Sequence, residues 1–204
     1  MVSSKNEICN MALSLQGNYG TVTDIDAPRN DKEKAYAKWY DTCLDMALKL
    51  VMPNFALARE IVAKDVSTPA FGYAYNYAKP TNCLKVLGIG NIDEKENNYA
   101  VEGSWIMSDE DYDDGMEVRY IKRITDVAAY TSEFVLMFAK HLAAYTAMEV
   151  TQDASKAKLF MDSLTAEMSI ASGMNAQENR PIRLSNSRFK GARYVDNPTY
   201  SNKK

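Results

Sequence analysis

The sequence predicts a mainly α fold (α+β), a helical bundle with a small β-rich insert and an extended C-terminal arm. Three observations lead to this prediction. Apolar residues recur at helical spacing near both ends of the body, short strand-like runs fill its middle, and the last 25 residues show neither pattern. We therefore divide the chain into a body, residues 1–179, and an arm, residues 180–204.

Four helices are predicted from caps and hydrophobic spacing. Ser4 followed by Glu7 has the pattern of a capping box, and Asn30 followed by Glu33 repeats it before a long apolar stripe. Pro53 ends the second helix because proline lacks a backbone donor and clashes with the preceding turn. Two further stripes predict an antiparallel pair of helices near the end of the body. The predicted helices span residues 4–16, 30–52, 132–151 and 154–172.

The β-rich insert covers about residues 55–125, where short apolar runs are separated by turn residues. Its clearest predicted strand pair is 104–107 with 116–121, joined by an acidic turn. Four aromatic residues alternate strictly within the insert, which predicts one aromatic face on an extended segment. These residues are Phe71, Tyr73, Tyr75 and Tyr77.

No catalytic, cofactor-binding or metal-binding residue is predicted, and we expect no enzyme activity and no cofactor. The single histidine, His141, lies on the apolar stripe of a predicted helix, which favours a packed side chain over a catalytic base or ligand. The three cysteines have no C-x-x-C spacing, which argues against a disulfide framework and a zinc site. Gly88-Ile89-Gly90 lacks the third glycine of a dinucleotide-binding loop.

The acidic run from Asp109 to Asp114 places carboxylates at alternating positions, as in a calcium-binding loop. Asp114, however, stands where that loop needs glycine, and Tyr120 stands where it needs a bidentate glutamate. A solvated turn is therefore predicted, and a basic surface is a better partner for it than an ion. No stretch approaches the roughly 18 apolar residues of a membrane span, so we expect a soluble, unsecreted protein.

The arm differs from the body in charge. Residues 180–204 hold seven basic residues and one acidic residue, a net charge of +6, although the whole chain carries −3 and the body therefore −9. The arm also contains two prolines and no periodic pattern, so we expect it to become ordered only on a partner. Its predicted partner-binding residues are Arg180, Arg183, Leu184, Arg188, Phe189, Arg193, Tyr194 and Tyr200.

The order and spacing of several short motifs resemble a known family. They include Tyr40-Asp41 with Asp45, then Phe55-Ala56, and later the segment 120–126 that contains Arg123. Further motifs are 75–80, 83–86, 99–103 with Ile106, Tyr130, Phe134, Ala139 and Leu142-Ala143. Over about residues 6–171 the chain is similar to the head-to-tail adaptor (tail tubular protein A-like) family of short-tailed bacteriophages.

The resemblance implies a structural virion protein that forms a ring, usually of twelve copies, between the portal protein and the tail nozzle protein. It implies a helical bundle facing the portal, an insert that receives the nozzle, and a channel through which DNA passes without specific binding during genome ejection. The implied location is the virion tail, after assembly in the host cytoplasm.

Two alternatives stay open at the level of sequence. One is a tail-associated, wall-degrading enzyme that uses a carboxylate pair, and the other is a nucleic-acid-binding module that uses the basic arm.

Overall fold

The computed structural model describes residues 3–90 and 99–164. About 45% of these residues are helical and 21% lie in strands. The helices are α1 (Lys5–Leu15), α2 (Asp31–Val51) and α3 (Ser132–Thr151), with a further helical segment over residues 154–164. The strands are β1 (Leu57–Val62), β2 (Tyr75–Ala78), β3 (Cys83–Ile89), β4 (Tyr99–Glu102), β5 (Trp105–Ser108) and β6 (Met116–Lys122).

The helix starts follow the local capping signals. The Ser4 hydroxyl accepts a hydrogen bond from the Glu7 N–H, and the Asn30 side chain accepts one from the Glu33 N–H, which confirms both predicted N-caps. Each glutamate, however, accepts from the residue before the cap, at Ser3 N (2.6 Å) and Arg29 N (2.7 Å). Both capping boxes are thus extended outward by one residue.

The six strands form two three-stranded antiparallel sheets, with strand orders β1-β6-β3 and β2-β5-β4. The predicted pairing of 104–107 with 116–121 is therefore wrong, because β5 and β6 belong to different sheets. A two-residue turn containing Gly103 (φ 57°) joins β4 to β5, and this tight connection gives β5 its partner. The acidic run instead crosses from one sheet to the other.

The two sheets enclose a small core of their own. Tyr77 and Ile106 lie directly opposite each other in the second sheet, and both are fully buried against residues of the first, including Met116 and Val118. The predicted four-ring aromatic face does not form. The strand begins only at Tyr75, and Phe71 is 89% exposed in the preceding loop.

The first sheet also forms one wall of the larger, helical core. Ile121 is fully buried in that core, whereas its neighbour Tyr120 is buried in the core between the sheets. Adjacent residues of a strand point to opposite faces of the sheet, so β6 contributes side chains to both cores. The prediction of a helical bundle with a small insert is wrong for this reason: the fold is a mixed α+β fold in which a sheet packs directly on the helices.

Gly115 should be sensitive to substitution. Its φ is 95°, and an added Cβ would lie 2.6 Å from the Ile61 side chain and 3.2 Å from the Val62 carbonyl oxygen. We expect Gly115→Ala to lower the free energy of unfolding by about 2–3 kcal/mol, because steric overlap adds to backbone strain. The matched control is Gly103→Ala, which has φ 57° and open space, and should cost about 1 kcal/mol. Equal losses in urea unfolding would contradict the steric argument.

Candidate functional site

Residues that carry the family resemblance meet where the helices join the first sheet. Arg123 follows β6 directly, and its Nε donates to Asp45 Oδ1 at 2.6 Å while its Nη2 lies 3.0 Å from Asp41 Oδ1. The two aspartates are four residues apart on α2, so they share one helix face. The Arg123 N–H donates to the Asn82 carbonyl at 2.8 Å. One residue thereby links β6, α2 and the turn before β3.

Arg123 and Asp45 form the stronger of the two ion pairs. Their side chains are 29% and 32% exposed, whereas that of Asp41 is 72% exposed and more fully screened by water. The hydrogen bond to Asp45 is the main reason that the pKa of Arg123 is raised. The guanidinium therefore stays charged and holds the strand end against the helix.

An aromatic cluster lies at the same place. The ring of Phe55 lies 5.6 Å from that of Tyr130 and 5.1 Å from that of Phe134, and the latter two rings are 5.1 Å apart. The Tyr130 hydroxyl donates to the Ile124 carbonyl at 2.8 Å. We call the six residues of the ion pairs and this cluster the junction. They are Asp41, Asp45, Phe55, Arg123, Tyr130 and Phe134.

A buried polar network joins the three helices and was missed by sequence reasoning. Gln16, which is 4% exposed, accepts from the Tyr36 hydroxyl at 3.0 Å and donates to Thr146 Oγ1 and the Ala143 carbonyl, each at 2.8 Å. Its polar atoms are satisfied, so the network fixes helix packing. A glutamine at the end of a helix carries no sequence signal for burial.

His141 is packed, as predicted. It is 1% exposed and stacks on Tyr145 with ring centroids 5.1 Å apart. Among the described residues neither ring nitrogen has a hydrogen-bond partner, and burial lowers the pKa of His141 to about 4. The imidazole is therefore neutral near pH 7.

The acidic run, residues 109–114, is held by hydrogen bonds. Asp111 accepts from Lys64 Nζ at 2.7 and 2.8 Å, which raises the pKa of Lys64. The Tyr112 N–H donates to the Tyr77 hydroxyl at 3.0 Å, and the Tyr112 hydroxyl donates to Glu110 at 2.8 Å. Within residues 3–90 and 99–164, no group of three His, Cys, Asp or Glu residues is placed to hold a metal ion.

The three cysteines, Cys9, Cys43 and Cys83, are buried free thiols. Burial raises the pKa of Cys9 and of Cys43 to about 12. A thiol with a raised pKa is a poor nucleophile because the thiolate is the reactive form. Cys9 and Cys43 thus belong to the helical core, and Cys83 to the core between the sheets.

An open groove of about 740 Å³ lies between α1 and the start of α3, next to the junction. Its apolar lining includes Leu15 and Leu136, which are 39% and 45% exposed, together with Met11 and Val135. Tyr130 lines the groove as well as belonging to the junction. This groove offers apolar contact area on the helical side of the protein.

The predicted partner-binding residues of the arm all fall outside the described part of the chain, as do residues 165–172 of the fourth predicted helix. Their roles stay predictions. They are Arg180, Arg183, Leu184, Arg188, Phe189, Arg193, Tyr194 and Tyr200.

Comparison of the chain with protein-family models and with curated proteins found no match. In the part of the chain that the structure describes, no helix has the length and apolar character needed to cross a membrane.

Buried His141 should make the protein less stable in mild acid. Its folded-state pKa of about 4 lies below the ordinary 6.5, so the unfolded chain binds the proton first as the pH falls. The associated stability is complete above about pH 6.5 and declines toward pH 4, by about 2 kcal/mol at pH 5. Urea unfolding of the wild type and of His141→Leu at pH 7 and pH 5 measures this loss in the free energy of unfolding. The variant should lose less stability between pH 7 and pH 5, and parallel losses would contradict the assignment.

The two aspartates of the junction should differ in importance. We expect Asp45→Asn to lower the free energy of unfolding by about 1–2 kcal/mol, because Asp45 is the less exposed partner of Arg123. Asp41→Asn, the matched control on the same helix face, should cost under about 0.5 kcal/mol because its carboxylate is well solvated. Urea unfolding at low salt gives both values. A larger loss at Asp41 would reverse the ranking.

Proposed function

We propose that the chain is a structural virion protein, a head-to-tail adaptor that connects the portal to the tail nozzle of a short-tailed bacteriophage. One observation carries the proposal: motif residues spread from Asp41 to Phe134 in sequence form two contact groups, the ion pairs and the aromatic cluster, and the Tyr130 hydroxyl links them through the Ile124 carbonyl. Short motifs that match a family by chance have no reason to meet in the fold. Motifs that maintain the framework of a shared fold are expected to contact one another.

The arrangement of the two cores suits a connector. The helical side carries the apolar groove beside α1, and the sheets extend from the opposite side of β6. In this proposal the helical side faces the portal and the β-rich side receives the nozzle. The ring, of twelve copies, closes through heterologous contacts, in which two different surfaces of each copy meet.

Charge is consistent with passage of DNA without specific binding. The body carries a net charge of −9, so as a whole it repels phosphate groups. A basic lining would instead retain the DNA backbone in a salt-dependent way. The basic residues of the arm are then assigned to contact with protein, at the portal or a neighbouring copy.

The wall-degrading alternative needs two carboxylates that flank a bound sugar. Asp41 and Asp45 are adjacent carboxylates, but both contact Arg123 and act in the junction as a clamp between strand and helix. A turbidity assay on purified cell wall separates the alternatives. The adaptor proposal predicts no clearing, and clearing that is lost in Asp41→Asn or Asp45→Asn would favour the enzyme.

Deletion of the arm tests the adaptor proposal. We expect the chain without residues 180–204 to remain folded by circular dichroism and to fail to form rings on the portal of the same phage in negative-stain microscopy. The loss follows because the arm supplies seven cationic groups and spaced aromatic anchors to its partner. Ring formation equal to that of the full chain would contradict the proposal.

A charge-matched pair of variants refines the same test. Replacing Arg183, Arg188 and Arg193 by glutamine should weaken assembly on the portal. Replacing three lysines of the β-rich side by glutamine, Lys79, Lys85 and Lys122, removes the same charge away from the side assigned to the portal and should leave assembly on the portal unchanged. Binding of DNA by the full chain that disappears with the arm and weakens steeply with salt would favour the nucleic-acid-binding alternative.

A further inference from the structure

Within residues 3–90 and 99–164, helices cover one end of the outer face of the first sheet and leave the other end open. At the covered end, Leu57 and Ile121 lie opposite each other and pack against the helical core. Two residues further along each strand, Arg59 of β1 lies directly opposite Arg119 of β6. Because residues two apart share a face, both arginines lie on this outer face beyond the helices.

In the part of the chain that the structure describes, these two arginines have no anionic partner. Among the described residues neither forms an ion pair within 4 Å, although Glu117 lies diagonally across the strands on the same face. Like charges directly opposite each other destabilise a strand pair. Among the described residues, then, nothing offsets the repulsion between the two arginines, and an anion from a second copy would offset it.

The surroundings leave room for a partner. Gly88 lies opposite Arg119 on the third strand, and a Cβ added there would meet open space. In the described part of the chain, an open depression of about 440 Å³ is lined by both arginines, Gly90, Val118 and Ile61, which is 64% exposed, and by two carboxylates. One carboxylate, Glu60, accepts from the Tyr120 hydroxyl at 2.9 Å, and the other, Glu117, lies opposite Ile61. We call Arg59, Ile61, Gly88 and Arg119 the basic face. It combines two guanidinium groups, one apolar side chain and a gap that another chain can enter.

A complementary surface exists on the same protein. In the acidic loop, residues 109–114, Asp113 and Asp114 are exposed and form no ion pair with any described residue. The loop is nevertheless fixed, because Asp111 bonds to Lys64 and the Tyr112 N–H bonds to the Tyr77 hydroxyl. Carboxylates on a fixed loop lose less conformational entropy on binding than those on a free one.

The two surfaces of one copy do not satisfy each other. Among the described residues no ion pair joins Asp113 or Asp114 to either arginine, and the strand from Met116 to Arg119 alone spans roughly 10 Å. Ile61, the residue of the basic face nearest the loop, lies between the two arginines and Gly115, which directly follows the loop. The acidic loop and the basic face are therefore available to different copies.

We propose that the basic face of one copy binds the acidic loop of a second copy. The inference rests on the proposed adaptor function, for which it names the surfaces that join neighbours in the ring. The contact is heterologous, so each copy keeps one free basic face or acidic loop for the next until the ring closes. Charge complementarity fixes the register, and burial of Ile61 adds apolar contact.

Charge reversal with mixing tests this contact. One variant carries Arg59→Glu and Arg119→Glu, and the other carries Asp113→Lys and Asp114→Lys. By sedimentation at low salt, up to about 1 mM, the wild type should self-associate and added salt should weaken it. Each variant alone should associate at least about tenfold more weakly, because like charges then face each other. An equimolar mixture of the variants should regain association, because opposite charges meet again at every contact.

The matched control for the arginine reversals carries Lys34→Glu and Lys49→Glu on α2. These substitutions change the net charge by the same amount and should leave the dissociation constant of self-association unchanged. Circular dichroism checks that every variant is folded. The proposal is overturned by a wild type that stays monomeric, by reversals that leave association intact, or by a mixture that regains none. Assembly on the portal is measured separately. If the wild type self-associates as described but forms no rings on the portal, the adaptor function is wrong and the contact stands. If the charge-reversal variants form rings on the portal as well as the wild type does, the contact is wrong and the adaptor function stands.

Discussion

Strand β6 holds the protein together because its alternating side chains are buried in two different cores. Ile121 packs with the helices and Tyr120 packs between the sheets, so neither core is complete without this strand. Arg123, at the end of β6, then binds α2 through Asp45 and the turn before β3 through its backbone. The ion pairs of the junction are thus made by the residue that directly follows β6. Displacement of β6 would therefore disturb both cores and the junction together.

Local signals explain which parts of the fold could be predicted from sequence. Ser4 and Asn30 cap helices through side-chain bonds that span three residues, so the sequence alone contains the cause. Strand pairing depends on distant residues: the turn at Gly103 pairs β5 with β4, whereas the acidic run, which looks like a hairpin turn in the sequence, connects two different sheets. The helical-bundle prediction failed likewise, since nothing local reveals that Ile121 enters the helical core.

The candidate site shows the same division. The packed state of His141 followed from its place on an apolar stripe, whereas the bond between Arg123 and Asp45 joins residues 78 positions apart and leaves no pattern in either segment. Burial of Gln16 depends on three helices meeting at one point. The cross-strand pair of Arg59 and Arg119 likewise becomes visible only when the register is known.

The positions of the three cysteines divide the molecule into separately observable parts. Cys9 and Cys43 are buried among the helices, while Cys83 is buried between the sheets. Since all three thiols are shielded in the native state, an alkylating reagent can reach each of them only when its own core opens. The order in which the natural thiols react would therefore report, without any introduced label, whether the β-rich side loosens before the helical side as the protein changes shape.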